Sequence, residues 1–340
     1  MSQTLPPTLP PTVIMDAEEG RNAWQQAVSE HSDVSPFLHP TFLDGIERIL
    51  PWRRLYVRAS GLGAASIFIR QRGLVKDIVL PPFCPYSALL LDVAPPPSDT
   101  VDLASLLMPA RQLPTTRLFS LPPGTGMERL GAAPDGAQAR ERFTYHLPSL
   151  PLERAIEEWS NSQRRAFRKN EGSFAYSMVD TDAFTRSPAA VRTDIAETIQ
   201  RVQAGYTRHR ARMPLTSSAL QQLSEDLIRD GIGQLHILRD TTDKALAAGV
   251  LVVRNSNTAW YWLAGSKPGP AMTVLLGYLQ DDLYHTGVST LDLMGANTPG
   301  IAEFKRRFGG TLVSYLHIQT ASWAGLAAER AAMWYHRLRP

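Results

Sequence analysis

No apolar run in the chain exceeds strand length, and the longest, such as Ala245 to Val253, end well short of what a membrane-crossing helix needs. That run sits between two further strand candidates, Gln234–Arg239 and Thr258–Ala264, with polar turns at Asp240–Lys244 and Asn255–Asn257. The pattern then changes period. Helical spacing predicts a helix over Ala271–His285, a buried strand over Ser289–Leu293, a short basic helix over Ile301–Phe308 and an alternating strand over Thr311–Ile318. Three strands followed by helix, strand, helix, strand specify a mixed α/β (α+β) fold: a mostly antiparallel sheet flanked by helices.

The first half repeats the plan. Helices are expected from Asp16 to Ser29 and from Pro40 to just before Pro51, and strands at Leu55–Val57, Ala64–Arg70 and Val75–Leu80, punctuated by Gly61, Gly63 and Gly73. Pro81, Pro82 and Pro85 interrupt pairing before a strand at Ala88–Leu91, a helix at Ser98–Leu107 and a strand at Arg117–Leu121. Residues Pro122 to Arg142 are rich in Gly, Pro and Ala and read as a connection between lobes. The second lobe opens with one helix over Leu152–Asn170, a strand at Phe174–Val179, and helices at Val191–Ala204 and Ser217–Asp230. The expected organisation is a disordered segment over 1–12, an N-terminal lobe over 13–142 and a C-terminal lobe over 143–340.

Composition narrows the chemistry. With 340 residues, 44% of them hydrophobic, the chain can build more than one core. A formal charge of +3 is a mild bias toward anionic ligands and falls short of a nucleic-acid signature. Cys84 is the only cysteine, which forbids an intrachain disulfide or a multi-cysteine metal site and fits a reducing, cytoplasmic location. The start of the chain lacks a basic region before an apolar run, so no signal peptide is expected. The eight histidines lack metal-ligand spacing, so no metal is expected. No G-x-S-x-G elbow or P-loop is present, which removes hydrolase and NTPase readings.

Three segments carry more. T-L-D-L-M-G-A-N-T-P-G-I-A-E-F-K-R-R-F-G-G-T-L-V-S-Y, Thr290 to Tyr315, resembles the closing segment of the FemAB-like and related GNAT acyltransferases, with Asp292, Gly295, Gly300, Phe304, Lys305, Phe308, Gly309 and Gly310 matching in order. S-N-S-Q-R-R-A-F-R-K-N-E-G, Ser160 to Gly172, resembles an R-R-x-x-R-K stretch of the same family, and Ala247 to Ser266 resembles its two central strands. The resemblance implies two tandem GNAT-like lobes, an active site in a cleft where the sheet splays open between them, an acyl or aminoacyl transfer to an amine, and no metal.

The residue chemistry supplies candidate roles. Amide formation needs a neutral amine and a partner for the negative charge that develops on the carbonyl oxygen. Lys305 is the expected cation, although its spacing beside Arg306 and Arg307 by itself favours a solvated helix face and only the resemblance turns the reading to catalysis. Asp292 is a candidate to orient or deprotonate the amine, and Tyr206 to protonate or position a leaving group. Arg165 and Arg168, in the densest cationic window, are candidates for phosphate or carboxylate recognition, with Trp262 and Phe304 walling the site. The loop Gly265–Pro270 stands where this family cradles a pyrophosphate, so Gly265, Lys267 and Gly269 are candidate donor contacts, yet Pro268 and Pro270 remove two N–H groups and the spaced-glycine signature is absent. Acyl-CoA is the favoured co-substrate over aminoacyl-tRNA, with a small-molecule or cell-envelope-precursor amine as acceptor. A binding protein that keeps the fold without catalysis is the rival.

Overall fold

The computed structural model describes residues 12–15, 17–31, 33–59, 63–72, 75–91, 116–123 and 138–321. The chain forms two compact units that interleave along the sequence: one takes 1–32, 50–141 and 315–340, the other 33–49 and 142–314. The expected helix Ser98–Leu107 lies outside the described residues.

In the first unit, helix α1 (Ala17–Ser29) accompanies strands β1 (Thr12–Met15), β2 (Arg53–Ala59), β3 (Gly63–Arg72) and β4 (Val75–Val79), which pair antiparallel in that order. The early residues of β3 also pair with β5 (Ala88–Leu91). Strand β6 (Thr116–Leu121) runs parallel to β4, and residues from Leu316 of the last strand pair antiparallel with it. Alternation turns Leu55 and Val57, and Ala65, Ile67 and Ile69, to one face, where they meet Ile78, Phe119, Leu121 and Leu316 in the core.

In the second unit the sheet order is β8 (Phe174–Val179), β9 (Gly233–Asp240), β10 (Leu246–Arg254), β11 (Thr258–Ser266), β12 (Thr290–Asp292) and β7 (Gln138–Pro148). Every pairing is antiparallel except β11 with β12. Strand β10 is buried along almost its whole length, which explains its unbroken apolar sequence. One face packs on helix α8 (Ala271–His285) through Val250, Val252, Leu275, Leu276 and Leu279. The other face carries helix α6 (Pro188–Arg208). Gly249 and Gly265 stand opposite each other in register, and a Cβ on either would lie 2.3 Å from Thr198 Oγ1 or Val202 N of α6, so only glycine lets the helix lie this close. Helix α7 (Ser217–Arg229) packs beside α6, and α2 (Pro40–Ile49) joins it, placing Leu223 against Gly45. Phe37 and Phe42 meet Trp260 and Trp262 edge-on at 6.0 and 5.7 Å.

The structure revises the sequence reading at three places. The helix expected over Leu152–Asn170 is two, α3 (Leu152–Glu158) and α4 (Asn161–Asn170), because Trp159 turns extended to bury its indole between Phe167 and Phe308 and donate to Gln280. A short helix α5 (Thr181–Arg186), capped by Asp180 on Ala183, precedes α6. Strand β7 begins inside the stretch expected as a connection. The chain closes with α9 (Pro299–Arg306) and β13 (Thr311–Ala321). Among the described residues no helix is long and apolar enough to cross a membrane, and no group of three or more His, Cys, Asp or Glu side chains is placed to hold a metal.

Candidate functional site

The parallel pairing of β11 with β12 covers only Thr258–Trp260 against Thr290–Asp292, although β11 runs on to Ser266. Two local features part the strands. On β11, Trp262 is an extra residue against β10, since Leu263 faces Leu251 while Tyr261 already faces Val252, and such a bulge bends and twists its strand. On β12, the chain beyond Asp292 stays with β7: Leu293 N donates to Tyr145 O at 2.9 Å and Ala296 N to Phe143 O at 2.7 Å, while Asn297 Oδ1 accepts from Phe143 N at 3.0 Å.

Lys305 holds this departure in place. Its ammonium donates to three consecutive carbonyls, of Leu293 at 2.7 Å, Met294 at 2.5 Å and Gly295 at 2.9 Å. Gathering them requires left-handed backbone at Met294 (φ 55°) and Gly295 (φ 23°), which glycine accepts and methionine tolerates only under constraint. Burial lowers the Lys305 pKa to about 8, with the negative charge of Asp292 opposing the shift. Lys305, the cation expected to meet the oxyanion, is therefore a buried clamp with its three protons directed at backbone carbonyls. Phe304 is half-buried against Phe308, ring centroids 5.0 Å apart, and anchors the same helix.

Asp292 is likewise interior, 1% exposed. Its Oδ1 accepts from the Thr144 hydroxyl and, at 2.7 Å, from Met294 N, and its Oδ2 lies 3.5 Å from His146 Nε2. His146, Asp292 and Trp260 are direct register partners across β7, β12 and β11, so their side chains share one face. Sequence reasoning missed Thr144 and His146; the usable signal was the alternation of Thr144 and His146 with the apolar Tyr145 and Leu147.

On the opposite face, Tyr261 donates to Met272 Sδ at 3.0 Å, and the Lys305 ammonium lies 5.9 Å from its ring centroid. Burial raises the pKa of Tyr261 and that of Tyr206, so both phenols stay protonated. Tyr206 stands one turn beyond Val202 near the end of α6. The expected donor loop follows β11. Gly265 lies beneath α6, and Lys267 N donates to Ala247 O at 2.8 Å. Lys267 Nζ is 3.8 Å from Asp243, and Gly269, at φ +121°, faces open space. The first returning N–H of α8 is Val274 to Pro270 O, so the amides of Ala271, Met272 and Thr273 precede any intrahelical acceptor. Arg168 grips Glu153 through both guanidinium nitrogens, and Arg165 Nε donates to its own helix at Asn161 O. The structure thus brings Asp292, Trp262, Lys305 and Phe304 to the strand parting, and leaves Arg165 and Arg168 on α4.

A family model described as an acetyltransferase (GNAT) domain matches residues 152–306. Among solved structures, FemX superposes with a TM-score of 0.62 at 12% identity, covering 89% of this chain and 96% of that one. The C-terminal domain of a putative lysylphosphatidylglycerol synthetase from Agrobacterium fabrum follows at 0.59 and 16% identity, covering 92% and 96%. L-PGS from Bacillus licheniformis gives 0.56 and 11%, covering 88% and 91%. Comparison with curated protein sequences returns no match.

Proposed function

We propose that the chain is an acyltransferase of the FemAB-like GNAT kind that moves an acyl group from an acyl-CoA to an amine by direct attack, with the donor seated where β11 and β12 part. The early end of the β11/β12 pairing carries this reading. Beyond Trp260 the strand offers a backbone edge along which an extended, amide-bearing arm adds as a strand would, and the α8 N-terminus follows at its far end, where the first-turn amides would meet a phosphate. Lys267 and Gly269 stand beside that helix start to contribute charge and room, and Trp262 and Phe304 wall the opening. Tyr206, kept protonated, is the group proposed to meet the leaving thiolate.

Direct attack also follows from the lone thiol: Cys84 is buried, donates to Tyr86 O, and burial lifts its pKa to about 12, far from a thiolate nucleophile. An acyl-CoA donor and a protected thiol suit a cytoplasmic enzyme, and the acceptor is a small-molecule or cell-envelope-precursor amine. Aminoacyl-tRNA, the alternative donor that the sequence resemblance allows, is the second reading. Local charge compensation argues against it. Arg168 is held by Glu153, and Arg306 and Arg307 both hold Glu303, whose carboxyl they lower to about 2, so these cations are already partnered. Acetyl-CoA or a longer acyl-CoA is expected to raise the melting temperature. No response to any acyl-CoA, alongside a salt-sensitive gel shift with charged tRNA, reverses the preference; response to neither favours a binding protein without catalysis.

A further inference from the structure

Resting on that reading, we propose that His146 is the general base that takes the proton from the acceptor amine, and that Asp292 is its positioning residue. The two residues are direct cross-strand partners, and the 3.5 Å approach of His146 Nε2 to Asp292 Oδ2 is fixed by the sheet rather than by a loop. Nε2 is fully buried and has no hydrogen-bond partner, so the carboxylate at 3.5 Å is the feature before it; the side chain as a whole is 29% exposed, which leaves Nδ1 as the accessible nitrogen. A carboxylate facing Nε2 selects the tautomer with the proton there and leaves the Nδ1 lone pair to accept one.

Asp292 is itself fixed by Thr144 and Met294 N on its other oxygen, so it holds the ring in place and touches no substrate. The Lys305 ammonium also lies near Asp292, whose charge opposes the lowering of its pKa, and the residues of β13 within this unit, Thr311 to Ser314, are uncharged. The row continues through Trp260, whose indole N–H is buried without an acceptor among the described residues, a second polar group left for a ligand on the same face.

The step balances with the acyl donor already named. His146 Nδ1 removes one proton from the acceptor ammonium; the neutral nitrogen forms the new N–C bond as the C–S bond of the thioester breaks. The second amine proton goes to the departing thiolate, and His146 releases the first to water. The test uses the full chain with acetyl-CoA and two probe amines: an alkylamine that is protonated at neutral pH, and methoxyamine, which is neutral there. In His146→Gln the alkylamine is expected to lose about 10²–10⁴-fold in kcat/KM at neutral pH. Methoxyamine, which needs no such deprotonation, should lose far less. Equal losses for both amines mean a structural role and overturn the proposal. Nitrogen NMR of the His146 ring decides independently of turnover: a proton on Nε2 that is lost from that site in Asp292→Asn supports the pair, and a proton on Nδ1 in the unaltered chain overturns it. If calorimetry shows no binding of acetyl-CoA, the proposed donor fails, while the ring measurement still decides on His146.

Discussion

Lys305 and His236 show how burial of one side chain turns a local arrangement into a measurable property. With three carbonyls relying on its ammonium, Lys305→Ala should leave buried acceptors unsatisfied and lower stability by about 2–4 kcal/mol in chemical denaturation. A midpoint unchanged from the parent would show that the strands part without the clamp. His236 is completely buried, its Nδ1 2.7 Å from the Tyr176 hydroxyl and 3.8 Å from Asp282, and burial, helped by the charge of Arg254, lowers its pKa to about 3. The unfolded chain binds this proton near pH 6.5 and the folded chain does not until about pH 3, so stability present above pH 6.5 drains away as pH falls across that window. Asp282, its carboxyl held up by burial, works in the opposite direction and softens the loss. Melting temperatures from pH 7 to 4 should therefore fall less steeply in His236→Gln than in the parent; parallel curves would rule His236 out as the source.

At the scale of elements, the paired glycines of β10 and β11 set the distance to α6. Gly265→Ala puts a methyl group into the helix backbone, which cannot swing aside as a side chain can, and should cost about 1–3 kcal/mol while leaving β-sheet circular dichroism in place. A melt identical to the parent would mean that α6 rides higher on the sheet than described. The central elements were readable because their signals are local: β10 and β11 are strongly apolar runs between polar turns, and α8 is a long apolar helix opened by proline. Strand β7 was not, since its charged start, Gln138 to Arg142, continues a glycine-rich stretch and masks the alternation that follows. With β7 went His146. Phe304, Lys305 and Asp292 were legible as a motif, but the motif does not say which way an ammonium points. That Lys305 turns inward depends on carbonyls ten to twelve residues earlier, a pairing no periodicity encodes.

The whole molecule is built from a chain that changes unit at Asp33, Leu50, Arg142 and Tyr315. A cut at Arg142 therefore does not release the second unit intact. A fragment from Arg142 onward lacks Phe37 and Phe42 and uncovers the rings of Trp260 and Trp262, so it should bind a hydrophobic dye and lose near-ultraviolet circular dichroism. A cooperative melt of that fragment at the parent's temperature would contradict the part assigned to residues 33–49. The same arrangement shapes how the protein is born. Phe37 is synthesised about 220 residues before Trp260, which at ordinary synthesis rates is a wait of roughly ten to forty-five seconds. Throughout that interval the α2 segment is an orphaned apolar surface, a natural client for a chaperone at the exit tunnel.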